Sequence, residues 1–335
     1  MKFKSEPRAI HGGRGTYIAG SDSGILDFSA SINPYPPDID LSVPSDALIR
    51  YPDDEYLILK ETIARHHGCH PEQITVGNGS VEVIRTLCHT VLTSDSTYYV
   101  PPHTFAEYEL SARLTGASKE YEKEKATLSF ICNPDNPSGI LIPKDTLKDQ
   151  ILALEGREHL CCVDEAFIDL SDPSQSLTDF QNSGLFVLRS LTKSFAIPGV
   201  RFGYGIGDPE LISSMEVMRP PWTVNAFAEK VVLSAFSRYS DLETSRKKIF
   251  NEKKHLIEAI RRMGFSLTQA SANYLLIDTG YNAEEVTKQF YKSGILVRDC
   301  TSFDLPTCIR VAVRTAEENT QFIEAMEKVV SCMRS

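Results

Sequence analysis

The chain has 335 residues, 41% of them hydrophobic, and a formal net charge of −10. Its length suffices for a large core split into two domains, or one domain with an appendage. The acidic balance argues against a general nucleic-acid binder but leaves room for a local basic pocket around a small anion. Eight cysteines with no paired Cys-x-x-Cys spacing point to neither a zinc site nor a disulfide scaffold, and read as buried thiols of a reducing compartment.

The charged start Met1-Lys-Phe-Lys-Ser-Glu-Pro-Arg8 lacks the apolar stretch of a signal peptide, and no apolar run is long enough for a bilayer. A cytoplasmic protein with no membrane partner is expected. Residues 1–34, with His11-Gly12-Gly13, read as an irregular arm. Apolar strands then alternate with helical segments: helices over 57–67 and 81–91, and strands over 74–76, 97–100, 128–132, 161–163, 185–188 and 201–207. This is the α/β pattern of a mostly parallel sheet covered by helices on both faces. Helices over 209–218, 226–236 and 242–263 follow, then a smaller α/β unit with strands near 273–277, 295–298 and 308–314. The expected division is an arm over 1–34, a large domain over 35–245 and a small one over 246–335.

The strand ends carry the chemistry, because open α/β sheets bind ligands at the carboxyl ends of their strands. Ser190-Leu-Thr-Lys193 and Arg201 follow one strand; the lysine amine can form a Schiff base with an aldehyde, while Ser190 and a forked Arg201 can hold a phosphate. Such a set can hold pyridoxal phosphate. Gly77-Asn-Gly79-Ser80 offers backbone amides at a helix start, or else is a glycine turn that reverses the chain. Asn136 and Asp164 suit the cofactor's phenolic oxygen and pyridine nitrogen. The Asp164-Glu165 pair alone would equally suit a metal or nucleotide site, but no phosphate loop accompanies it. Phe105 suits stacking on the ring, or a place in the core. Arg310 and Arg314 are expected on one face of one strand, roughly 13 Å apart, with Arg298 beside them, facing two anionic groups of a substrate or else solvent.

With these residues assembled, the chain resembles the fold-type I pyridoxal phosphate enzymes, in their histidinol-phosphate aminotransferase-like branch, over nearly its whole length. Within that branch it is most similar to the threonine-phosphate decarboxylases of cobalamin synthesis, through His11-Gly-Gly, Asp27-Phe-Ser-Ala-Ser-Ile-Asn33-Pro, Arg50-Tyr51-Pro-Asp53, Phe105-Ala-Glu-Tyr108, Asp164-Glu-Ala-Phe167-Ile-Asp169, Pro221-Trp-Thr-Val-Asn225 and Ala272-Asn-Tyr-Leu275. The resemblance implies that Lys193 is the covalent anchor, that Asp164 meets the ring nitrogen and Asn136 the phenolic oxygen, and that Ser190, Arg201 and the Gly79-Ser80 amides hold the cofactor phosphate. It implies that Tyr51 reaches the cofactor phosphate of a neighbouring subunit in a homodimer, and that His11, Asn33, Arg298, Arg310 and Arg314 surround the substrate. The implied reaction is decarboxylation of threonine phosphate to 1-aminopropan-2-yl phosphate. The alternatives are an aminotransferase acting on histidinol phosphate or a related amine, and a non-catalytic cofactor-binding module.

Two positions depart from pattern. Phe167 stands where aminotransferases usually carry Tyr, and its ring cannot donate to the phenolic oxygen. The decarboxylase branch also tends to Phe there. Ser80 stands where those decarboxylases commonly carry an acidic residue.

Overall fold

A computed structural model describes residues 6–10 and 24–334. Its centre is a seven-stranded sheet in the order β2(Ile74–Gly77), β8(Gly203–Ile206), β7(Leu185–Ser190), β6(Leu160–Asp164), β5(Leu128–Cys132), β3(Thr97–Tyr99), β4(Ser118–Lys119). All strands run parallel except β8, which is antiparallel to both of its neighbours. This is the fold-type I pyridoxal phosphate architecture that the motifs implied.

The central strands are largely apolar because both faces are covered. On β6 and β7, Cys161, Val163, Leu185 and Val187 pack into a core with the helices Leu57–His67 and Ala226–Ser237. Their alternate neighbours Leu160, Cys162, Phe186 and Leu188 pack on the other face, against the helices Ser80–Val91 and Pro209–Met218. Side chains of a strand point alternately to the two faces, so one run of residues feeds both cores. The helices have definite starts. Asp208 caps the helix that opens with Pro209, accepting from the Glu210 amide at 2.9 Å, and Asn225 caps the next, accepting from Ala228 at 2.8 Å.

The helix Leu242–Arg262 buries Leu242, Ser245, Ile249, Lys253, Leu256, Ala259 and Ile260, a stripe at helical spacing, and turns most of its other charges to solvent. Beyond it a four-stranded antiparallel sheet runs in the order β12(Arg298–Asp299), β13(Cys308–Ala312), β10(Tyr274–Asp278), β9(Ser266–Leu267), covered by the helices Ala283–Lys292 and Ala316–Arg334. Strand β13 ends at Ala312, two residues before Arg314, so the face expected to be shared by Arg310 and Arg314 stops short of the second arginine.

The end of the predicted arm is more ordered than its composition suggests. β1(Leu26–Asp27) pairs in parallel with β11(Ile295–Leu296), and the Phe28 carbonyl accepts from the Ala312 amide at 2.9 Å. This segment therefore bridges the second sheet to the lysine turn of the first. A second joint is made by Lys253, whose buried ammonium donates to the carbonyls of Ala270, Ser271 and Ala272 at 2.9–3.0 Å, while the Ser271 amide donates to the Gly139 carbonyl at 2.7 Å.

The glycines of β8 are dictated by packing. A Cβ on Gly205 would strike the ring of Phe186, and one on Gly203 would strike the Ser80 backbone. Gly205→Ala should therefore cost about 1–3 kcal/mol of stability, read as a lowered urea midpoint with an unchanged slope.

Candidate active site

Lys193 lies on the turn that follows β7, and that turn is fastened from outside. The Asn33 amide donates to the Lys193 carbonyl at 3.0 Å, and the Asn33 Nδ2 donates to the Ser194 carbonyl at 2.7 Å. The amine enters a cavity of about 530 Å³ at the carboxyl ends of β5, β6 and β7. Burial, followed by the nearby charges of Arg310 and Arg201, pulls its pKa down to about 8. A lysine so tuned is partly neutral near physiological pH and available as a nucleophile or proton carrier.

One end of the cavity is a cup of donors. Ser80 and Val81 open the helix Ser80–Val91 and line the cavity, and first-turn amides have no partner within their own helix. Ser190 and Arg201 line the same space. Gly79 adopts φ 84°, and a Cβ there would strike the Arg201 guanidinium, so the close approach of turn and arginine requires glycine.

Asp164 ends β6 and is buried. Its Oδ2 accepts from Tyr108 Oη at 2.6 Å and its Oδ1 from the Ala166 amide at 2.9 Å. Burial raises its pKa to about 6, against the pull of those two donors. The Arg189 guanidinium, whose charge also acts on Asp164, is committed elsewhere: it donates to Glu165 at 2.8 Å, to Asp169 and to Tyr239 at 3.0 Å. Asn136 follows β5, and its Oδ1 accepts from Arg310 Nη1. Phe105 and Phe167 also line the cavity.

Two arginines face each other across the second sheet. Arg298 of β12 is in direct register with Arg310 of β13; both are buried and both line the cavity. Arg310 donates to the Ser29 carbonyl at 3.1 Å, and its guanidinium lies 5.0 Å from the Tyr274 ring centre. Arg298 donates to the Ile10 carbonyl at 2.9 Å and to Ser302 Oγ at 2.7 Å, and lies 5.3 Å from the Phe303 ring centre. The acceptors of Arg310, the Asn136 Oδ1 and the Ser29 carbonyl, are neutral. Like charges directly opposite on adjacent strands repel, so the pair is suited to an anion between or beside them.

The cavity thus gathers Ser80, Phe105, Asn136, Asp164, Ser190, Lys193, Arg201, Arg298 and Arg310. The other expected residues that are described lie outside its lining. Gly79 acts through its turn, and buried Asn33 holds the lysine turn from behind. Arg314, past the strand end, pairs with Glu318 at 2.6 Å and donates to the Asp27 carbonyl at 2.9 Å, so its charge is spent locally. Tyr51 is 83% exposed and packs on Trp222 at 4.7 Å. His11 lies outside the described residues. Two buried tyrosines with no assigned part in the sequence motifs complete the surroundings. Tyr108 comes one helical turn after Phe105, and Tyr274 donates to the Asp135 carbonyl at 2.6 Å while supporting Arg310.

The sequence profile described as "Aminotransferase class I and II" matches residues 117–326. The chain belongs to this family. It is 33% identical over 305 residues to a "Putative threonine-phosphate decarboxylase" of Caldanaerobacter subterraneus subsp. tengcongensis, covering 83% of each chain. It superposes on the histidinol-phosphate aminotransferase of Clostridium acetobutylicum with a TM-score of 0.79 at 28% identity, covering 91% of this chain and 99% of that one. With the histidinol-phosphate aminotransferase of Sinorhizobium meliloti, solved in complex with pyridoxal 5'-phosphate, the TM-score is 0.85 at 18% identity over 98% and 96% of the two chains, a likeness of fold. The cofactor of the class I and II aminotransferase family is pyridoxal 5'-phosphate. The donor set fits it. An amine of lowered proton affinity, a buried carboxylate with no ion pair among the described residues and a cup of amide, hydroxyl and guanidinium donors are what an aldehyde, a pyridine nitrogen and a phosphate ester require.

The Asp164 carboxylate carries a stability cost that can be measured. Its folded pKa of about 6 exceeds the ordinary 3.8, so the folded state binds this proton more tightly. The group therefore favours folding below about pH 4 and works against it as pH rises through about 6. In cofactor-free protein, Asp164→Asn should raise stability at pH 8 by on the order of 1–3 kcal/mol. The gain should vanish near pH 4, as read by urea denaturation at the two pH values. His67, which burial holds neutral with a pKa near 2, loses stability as pH falls below 6.5 in both proteins and cancels from the comparison.

Proposed function

We propose that this protein decarboxylates L-threonine O-3-phosphate to (R)-1-aminopropan-2-yl phosphate, a reaction of cobalamin biosynthesis, as a cytoplasmic homodimer. The observation that carries the reading is the cross-strand pair Arg298 and Arg310, two buried arginines in direct register that both line the lysine cavity. A phosphorylated amino acid brings the two anionic groups such a pair can accept. Phe167 favours decarboxylation over amino transfer, since no hydroxyl reaches toward the phenolic oxygen from that position. The 33% identity to the Caldanaerobacter protein supports the same choice.

In this reading Lys193 anchors the cofactor, Asp164 faces its ring nitrogen, Asn136 its phenolic oxygen and Phe105 its ring, while Ser80, Ser190, Arg201 and the Gly79 turn take its phosphate. When bound, pyridoxal phosphate supplies an electron sink for the pair left on Cα as carbon dioxide departs. Arg298 and Arg310 orient the substrate so that the bond to the carboxylate, rather than the bond to hydrogen, stands perpendicular to the ring. The Lys193 amine then delivers a proton to Cα. Tyr51 completes the phosphate site of a neighbouring subunit; its exposure, with that of Ile49 (82%) and Ile58 (63%), supports a covered face in the dimer. The division into a large body over 35–245 and a small one over 246–335 is part of the same proposal. Among the described residues no helix is long and apolar enough to cross a membrane.

A second reading, amino transfer on histidinol phosphate or a related amine, has in its favour the 28% identity to the Clostridium enzyme. Incubation with threonine phosphate alone should release carbon dioxide without any oxo-acid acceptor; transamination with glutamate and no carbon dioxide would establish the second reading instead. Serine phosphate should react more weakly, since one methyl group discriminates by about 1–3 kcal/mol. Lys193→Ala should abolish the Schiff-base absorbance and lower turnover on the order of 10²–10⁴-fold, as followed by spectrophotometry and carbon dioxide release.

A further inference from the structure

Tyr108 is buried on the helix Ala106–Thr115 and held on three sides. Its ring stacks on Phe130 at 4.9 Å and 8°, the Phe105 ring meets it edge-on at 5.3 Å and 81°, and its hydroxyl donates to Asp164 Oδ2 at 2.6 Å. The ring contacts leave the hydroxyl little freedom. With the Ala166 amide on Oδ1, each oxygen of Asp164 accepts one hydrogen bond, which fixes the plane of the carboxylate. Both Tyr108 and Asp164 line the cavity. Phe105, assigned above to the ring face, is the N-cap residue of this helix and Tyr108 lies in its first turn, so one helix start addresses both the ring face and the carboxylate.

We propose that Tyr108 is a positioning residue of the cofactor site, whose hydroxyl orients Asp164 and weakens it as a base, so that the proton between carboxylate and pyridine nitrogen stays on the nitrogen. The inference rests on the assignment of Asp164 to that nitrogen and is independent of whether decarboxylation or amino transfer follows. A hydrogen bond donated to a carboxylate stabilises its ionised form. Loss of the donor leaves a more basic carboxylate beside the ring, and the proton moves toward it. A ring nitrogen without its proton is a poorer electron sink.

The test is made on holoenzyme loaded with pyridoxal phosphate labelled with ¹⁵N in the ring. Tyr108→Phe keeps the stack on Phe130 and removes only the hydroxyl. Its ¹⁵N resonance should move toward that of unprotonated pyridine, the pH midpoint of the cofactor absorbance should shift, and kcat should fall about 10-fold with KM changed less than about 2-fold, the loss of one hydrogen bond. Placing 3-fluorotyrosine at position 108 supplies a more acidic donor of nearly the same volume and should move the resonance the other way or leave it in place. Movement toward unprotonated pyridine with the fluorinated residue would mean that packing, not the donor, is responsible, and would overturn the proposal. Asp164→Asn separates the two assignments. An altered resonance there beside an unaltered one in Tyr108→Phe overturns the role of Tyr108 alone. An unaltered resonance in Asp164→Asn overturns the assignment of Asp164 and this inference with it.

Discussion

Arg189 lies buried between Glu165 and Asp169, with the hydroxyls of Ser176 and Tyr239 completing its shell. Everything at the site is built around this knot. Glu165 is the residue after Asp164, and Arg189 is the residue before Ser190, so one ion network ties together the ends of the two strands that deliver the carboxylate and the lysine turn. Three charged groups taken out of water are costly, and removing one would strand the others. What the network contributes is registration: the guanidinium fork accepts only one arrangement of the two acidic residues.

Above the knot the charge balance is uneven. Lys193, Arg298, Arg310 and Arg201 line a cavity whose acidic residues are Asp27 and Asp164. Asp27 already accepts from the Ser29 amide and hydroxyl, and Asp164 from Tyr108 and Ala166. A net negative chain therefore carries a locally positive pocket. Burial, joined by the charges of Arg310 and Arg201, depresses the proton affinity of Lys193.

The cavity also depends on how the two sheets are joined. Arg310 rises from the second sheet and bonds Asn136 on the first, while Tyr274 supports that arginine and donates to the carbonyl of Asp135, the neighbour of Asn136. Lys253 holds the loop before β10 that docks on Gly139. The segment from Leu26 to Asn33 spans the same gap, pairing with β11 at one end and fastening the Lys193 turn at the other. Groups that would act on one small molecule are thus set by contacts between elements far apart in the chain.

Much of this was legible in the sequence. Apolar runs ending in Asn136, Asp164 and Ser190 announce buried parallel strands with polar carboxyl ends, because strands covered on both faces must be apolar until they reach the crevice. The fold class and the lysine, aspartate and asparagine positions follow from that local pattern. Period-two alternation could not tell that β13 stops at Ala312, so Arg314 was grouped with Arg310 although it pairs with Glu318. Nor could it show that Arg298 stands directly opposite Arg310, since register between strands is set by the packing of the whole sheet. Tyr108 and Tyr274 stand inside the motifs with no role of their own, and their hydroxyl partners are visible only once distant elements are side by side. The sequence by itself determined which chemical groups this protein owns and on which kinds of element they sit. The tertiary structure alone decided which of them meet, because hydrogen bonds and buried charges are selected by ångström-scale placement that local residue patterns do not encode.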